Sequence, residues 1–302
     1  MDCLMTDLSA RKPDLGRFGV WTALAGPPTE WVTPQQAVEI ERLGYGALWV
    51  GASPSADLSY VDSILAQTDK LAVATGIVNI WSLAAKPIAD TYYRLEKAYP
   101  GRFLLGIGAG HPEHTQTYRK PYDALVEYLG ALDHYGVPTN RRVVAALGDG
   151  VLKLAARGSA GAHPYLVTPE HTAHARTVMG DSAFLAPEHK VVLSTDANEA
   201  RAIGRDTVQK FYLGLSNYVN NLKRLGFTDT DVTEPGSDRL VDAVVAHGTA
   251  DQIAHRLNEH IGAGADHVAI QVLGGADRVM PTLTELAGAL GLPQLHDHTI
   301  ST

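Results

Sequence analysis

Residues 71–81, LAVATGIVNIW, with KPIADTYYRLEKAYPGR at 86–102 and FLLGIGAG at 103–110, decide how this chain is read. The first run is apolar and rich in β-branched residues, as a strand buried on both faces should be. The second has the mixed polarity of a helix, and the third is again apolar. Strand, crossover helix and strand make a βαβ unit, which implies a parallel sheet. The third run carries glycines at 106, 108 and 110 and leads into His111-Pro112-Glu113. Parallel-strand proteins hold their sites at the carboxyl ends of strands, so chemistry is sought here. The glycines admit close approach of backbone to a ligand, and His111 is delivered to the rim.

Working outward, apolar runs recur at Arg17–Thr22, Ala47–Gly51, Ala72–Ile80, Phe103–Gly108, Val143–Leu147, Ala162–Val167, Lys190–Ser194 and His267–Val272. Amphipathic segments separate most of them, which predicts an α/β fold of the (β/α)8 TIM-barrel kind. Thr33-Pro34, Thr168-Pro169 and Thr249-Ala250 read as helix starts, and Gly44 as a stop. Two stretches, His111–Arg141 and Thr195–Ala265, exceed ordinary spacing and are expected as insertions at the C-terminal face, forming lids or pocket walls. Residues 1–16 are expected to be a disordered or extended lead, 17–292 a single barrel and 293–302 a tail.

Composition narrows the function. The net charge of -8 and pI near 5.9 argue against non-specific nucleic-acid binding. No apolar run reaches 18 residues and no signal-peptide pattern is present, so neither a membrane span nor secretion is expected. The single Cys3 excludes internal disulfides and fits a reducing cytoplasm. No metal-ligand set is expected.

Four elements carry the candidate chemistry. Gly76, Ile77 and Asn79 close the third run, where the glycine reads as a bulge. Gly108, Ala109, Gly110 and His111 close the fourth. A dinucleotide fingerprint would need GxGxxG after the first strand, so a Rossmann reading is rejected. An unperturbed imidazole titrates near pH 6.5, so His111 is either an acid or base or a capping, phosphate-contacting residue. Gly148-Asp149-Gly150 opens a helix and is either a phosphate nest or a plain tight turn. Asp149 would repel a phosphate unless it points away. His163 and Tyr165 are two apart on a strand and share one face, either lining a pocket or packed in the core. Trp21, Trp49 and Trp81 fall near strand ends, as pocket walls or as core.

ATGIVNIW (74–81), YPGRFLLGIGAGH (99–111), AALGDGVLKLAARGSAGAHPYLVTPEHT (145–172) and ADHVAIQVL (265–273) resemble the bacterial-luciferase-like monooxygenases. GAHPY with TPEHT is similar to the branch that uses coenzyme F-420, a deazaflavin. The resemblance implies a luciferase-like barrel and a hydride transfer between F-420 and an organic substrate. It also implies a non-prolyl cis peptide at Gly76-Ile77 behind the ring, the Asn79 amide at the ring edge and the cofactor phosphate at 148–150. His111 and His163 are then the catalytic candidates. An FMN-dependent monooxygenase using O2 is the alternative; a non-catalytic cofactor-binding protein is another. Many deazaflavin dehydrogenases of this superfamily place an acid just after the second strand, where this chain has Val50-Gly51-Ala52-Ser53-Pro54. That absence weighs against a base-dependent alcohol dehydrogenase and suggests room for a bulky or apolar substrate. The insert 215–227 presents Asn217, Tyr218, Asn220 and Asn221, facing that space, solvent or the partner of a homodimer.

Overall fold

A computed structural model describes residues 12–23, 31–51, 54–111, 113 and 119–294. The termini and the tip of the first insertion lie outside these residues. The strands are β1 (Phe18–Ala23), β2 (Ala47–Gly51), β3 (Ala72–Thr75), β4 (Val78–Asn79), β5 (Phe103–Gly108) and β6 (Arg142–Val144). They continue with β7 (Gly161–Ala162), β8 (Phe184–Leu185), β9 (Glu188–Leu193), β10 (Val245–Gly248) and β11 (Val268–Val272). Neighbours follow the order β10-β9-β11-β1-β2-β3-β5-β6-β7-β8, with β4 on β5, and all these pairings are parallel. β8 and β9 are separated only by Ala186 and Pro187, yet one pairs with β7 and the other with β11. That stretch of chain links one end of the order to the strand next to its other end, so the sheet curls. No described helix is long and apolar enough to cross a membrane.

Alternation along each strand sorts the core into layers. Ala47, Trp49, Ala72, Ala74, Leu104 and Val143 pack inside the curl, whereas Leu48, Val50, Val73, Phe103 and Leu105 face the surrounding helices. Thr33 and Thr249 form capping boxes with Gln36 and Gln252, as their sequences predict. Thr168 stands at the N-cap position without a side-chain bond.

The sheet has eleven strands among the described residues, because the third run is broken into β3 and β4, β8 and β9 are parted only by Ala186 and Pro187, and β10 is added. Three expectations need correction. β10 lies inside the long insert, pairing Val245 with Lys190, so the segment 195–265 is partly sheet and not only pocket wall. The sixth run is a strand only at Gly161–Ala162, because Pro164 cannot donate to a ladder and Leu166 turns left-handed at φ 54°. Finally, Gly76-Ile77 is not a cis peptide; among the described residues only Glu234-Pro235 is. The third run still breaks at 76–77, between β3 and β4, but by trans bonds. Gly76 N–H donates to Val50 O at 2.7 Å, a satisfied arrangement that avoids a cost of about 3 kcal/mol.

Candidate functional site

A cavity of about 950 Å³ opens at the carboxyl ends of the strands. Its wall begins at the β3–β4 break, where Gly76, Ile77 and Asn79 line it. Gly106 makes that break possible: a Cβ there would sit 1.7 Å from Thr75 O, and Thr75 Oγ1 both donates to Gly106 O and accepts from its N–H. Gly110 at φ 57° then turns the chain beside the Asn79 amide. Ala109, Gly110 and His111 face the cavity, and Asn79 Oδ1 accepts from Trp81 N–H.

The second insertion covers this rim. His111 Nδ1 lies 3.0 Å from Asn217 Oδ1, and Glu113 accepts from the backbone and hydroxyl of Ser216. These contacts fasten the helix Ser216–Arg224 across the mouth, so Asn217, Tyr218, Asn220 and Arg224 line the cavity. Asn221, expected beside them, is instead buried beneath and accepts from Arg224.

Arg224 leads to the third wall. Its guanidinium stands 3.7 Å from where a Cβ of Gly148 would be, and no carboxylate pairs with it among the described residues. Gly148 caps the helix Asp149–Gly158 without a side-chain bond, which leaves backbone N–H groups there without a capping side chain. A cation beside a helix N-terminus suits an anion. Asp149 does not spoil it. Its carboxylate turns outward to His174 Nε2 at 2.7 Å, and that hydrogen bond holds it below the usual range. Gly150 and Gly108 fall outside the cavity: Gly150 faces Tyr122, and Gly108 makes room for Ile77.

His163 lines the floor, stacked on Trp49 with centroids 4.1 Å apart. Its Nδ1–H donates to Ala186 O at 2.7 Å, and its Nε2 has no partner. Burial pulls its pKa down to about 4. It is therefore neutral near pH 7, with Nε2 bare to accept a hydrogen bond. Tyr165 lines the cavity beside Trp21 and donates to Gln271 Oε1. Tyr212 closes the row, its hydroxyl 2.6 Å from that of Tyr165. Beneath them Lys190 sits 3.9 Å from the Tyr165 ring and is bonded to Glu188; both are fully buried. The pair went unread in the sequence although Glu188-His189-Lys190 places two charges on one face of an apolar strand.

Within 50–54, Ala52 and Ser53 lie outside the described residues, and Gly51 does not leave room for substrate. A Cβ on Gly51 would meet Trp21 at 2.1 Å, so the indole fills that place. Trp49 is core, and Trp81 braces the rim by donating to Ala109 O. Among the described lining residues there is no Asp or Glu, and Arg224 is the lone formal charge.

Residues 17–135 match the sequence model of the luciferase-like monooxygenase family. No curated protein sequence matches the chain significantly. Among solved structures, an F-420-dependent secondary alcohol dehydrogenase in complex with an F-420–acetone adduct is 13% identical, covering 93% of this chain and 99% of that one, with a TM-score of 0.73. The F-420-dependent tetrahydromethanopterin reductase of Methanopyrus kandleri is 14% identical over 90% and 97%, with a TM-score of 0.62. The oxygenating constituent of 3,6-diketocamphane monooxygenase from Pseudomonas putida, bound to FMN, is 13% identical over 91% and 97%, with a TM-score of 0.68. At these identities the likeness is one of fold. The matched segment carries the strand break and the glycine run that help build the cavity, and over it the chain is similar to the luciferase-like monooxygenase family.

Proposed function

We propose that the protein is an oxidoreductase that transfers a hydride between coenzyme F-420 and an organic substrate in this cavity. We take the curled sheet, with residues 17–292, as one luciferase-like (β/α)8 barrel. The observation that carries the reading is the acid-free cavity with an anion corner at Gly148 and Arg224 and a flat-walled break at Gly76-Ile77. A tricyclic ring with a phosphate-bearing tail matches that distribution: apolar faces along the wall and one cation at the rim. When bound, the cofactor supplies the hydride chemistry; the protein binds, orients and excludes water. Ile77 backs the ring, Asn79 stands at its edge and Arg224 neutralises the tail. His111 stands at the mouth, oriented by Asn217, as the residue that handles protons there. The choice of F-420 over FMN rests on the resemblance of GAHPY and TPEHT. His171 of TPEHT donates to Leu147 O just before the anion corner.

Titrating the protein with F-420 and with FMN, following the fluorescence of each, tests the cofactor. F-420 is expected to bind more tightly. Micromolar FMN affinity without any F-420 quenching would replace this reading by the FMN-dependent monooxygenase.

The anion corner has its own test. Gly148→Val places bulk against Arg224 and is expected to weaken FMN binding about tenfold, towards the affinity of phosphate-free riboflavin. Gly150→Val, outside the cavity, should bind as the wild type does. Equal affinities for FMN in all three proteins would move the phosphate elsewhere.

A further inference from the structure

We propose that the Tyr218 hydroxyl is the cavity's hydrogen-bond donor to a carbonyl oxygen of the bound ligand. Tyr218 is 8% exposed and lies on the helix that His111 and Glu113 fasten over the mouth. Its ring is held on two sides, 5.4 Å from the ring of His111 and edge-on to Tyr212 at 5.2 Å, with Tyr165 at 6.2 Å. Its orientation is thus set by packing alone. Among the described residues nothing accepts from its hydroxyl, which faces the cavity and is not sealed within protein. Buried Tyr45 is satisfied internally, donating to Leu283 O, whereas the hydroxyl of Tyr128, which does not line the cavity, is buried without a partner. A phenol held this rigidly with no partner is a pre-placed donor. Burial pushes its pKa well up, so the proton stays on the oxygen at neutral pH. The lining offers no carboxylate to take it, and the neighbouring Tyr165 and Tyr212 hydroxyls are engaged with each other. A ligand that displaces water from this wall can accept the bond. A carbonyl fits, being a neutral acceptor in a wall without acids.

The inference rests on reading the cavity as the reaction site. Two sources of the carbonyl are distinguished by experiment: a substrate, or the ring of the cofactor. Tyr218→Phe removes only the oxygen, so thermal unfolding should be unchanged. For the substrate, calorimetric binding of 2-acetylnaphthalene is compared with that of its near-isostere 2-isopropylnaphthalene. For the cofactor, F-420 and FMN affinities are compared between wild type and Tyr218→Phe. About tenfold preference for the ketone, lost in Tyr218→Phe, supports donation to substrate; about tenfold loss of F-420 or FMN affinity supports donation to the ring. If neither changes, or if Tyr218→Phe unfolds several degrees lower, the hydroxyl serves the protein itself and the inference is wrong. The ketone comparison needs no cofactor, so it stays readable even if both cofactors fail to bind.

Discussion

Acidification from pH 6.5 towards 4.5 is expected to unfold this protein cooperatively, with a midpoint near pH 5. His163, His171, His189, His260 and His267 are each at most 2% exposed. Burial lowers His163, His171 and His267 to about 4, His260 to about 3, and His189 well below its ordinary value. An unfolded histidine takes up its proton near pH 6.5. Below that pH the unfolded chain binds more protons than the native one, so stability falls as pH falls, continuing down to the folded values. Each site contributes about 1.4 kcal/mol per pH unit, so five contribute about 7 kcal/mol per unit, against a typical total stability of about 5–15 kcal/mol. The contacts explain why protonation is resisted. His267 Nδ1–H donates to Gly16 O, so its Nε2 must remain bare to accept from Trp49. His260 and His189 share one hydrogen bond at 3.0 Å, which two imidazolium ions cannot make. Circular dichroism and tryptophan emission across this range provide the check. A native signal persisting at pH 4.5 would contradict the neutral assignment.

Lys190→Met should be the most damaging single change among the residues around the cavity. It leaves Glu188 buried with its negative charge unpaired, a situation that costs about 3–5 kcal/mol. For a chain of this size that lowers Tm by roughly 5–8 °C. Burial pulls Glu188 up and Lys190 down, and each holds the other ionised. Glu188 also accepts from Leu166 N–H, fixing the left-handed turn after Tyr165. Adding Glu188→Gln keeps that acceptor while removing the charge, so the double variant should recover most of the loss. Calorimetry on both variants decides the matter. If Lys190→Met melts like the wild type, the pair is not holding the floor beneath Tyr165 and Tyr212.

Much of the sheet could be read directly. Runs such as Ala47–Gly51 and Phe103–Gly108 are apolar throughout because parallel strands are covered on both faces, and they match β2 and β5 residue for residue. The run at Ala162–Val167 was misleading because Pro164 interrupts the ladder within an otherwise apolar segment. β10 was hidden by a composition no different from that of the helices around it. Of the candidate residues, those at 76, 77, 79, 109–111, 148, 163 and 165 meet at one cavity. Gly108, Asp149 and Gly150 do not, since being adjacent to a lining residue says nothing about which way a Cα faces.

The sequence by itself determined the class of fold, the carboxyl-end location of the cavity and the breaking of the third strand. These depend on local chemistry: side-chain periodicity, the reach of glycine and the fixed polarity of parallel strands. Tertiary structure alone decided what each site residue can do. His111 meets Asn217 across 106 positions, Trp21 fills the gap over Gly51, and Tyr165 lies above a charge pair from another strand. His163 became a neutral acceptor only because Ala186 O takes its Nδ1 proton and burial keeps another from arriving. Protonation and hydrogen-bond partnership are set by what packs around a group, and those neighbours are distant in the chain.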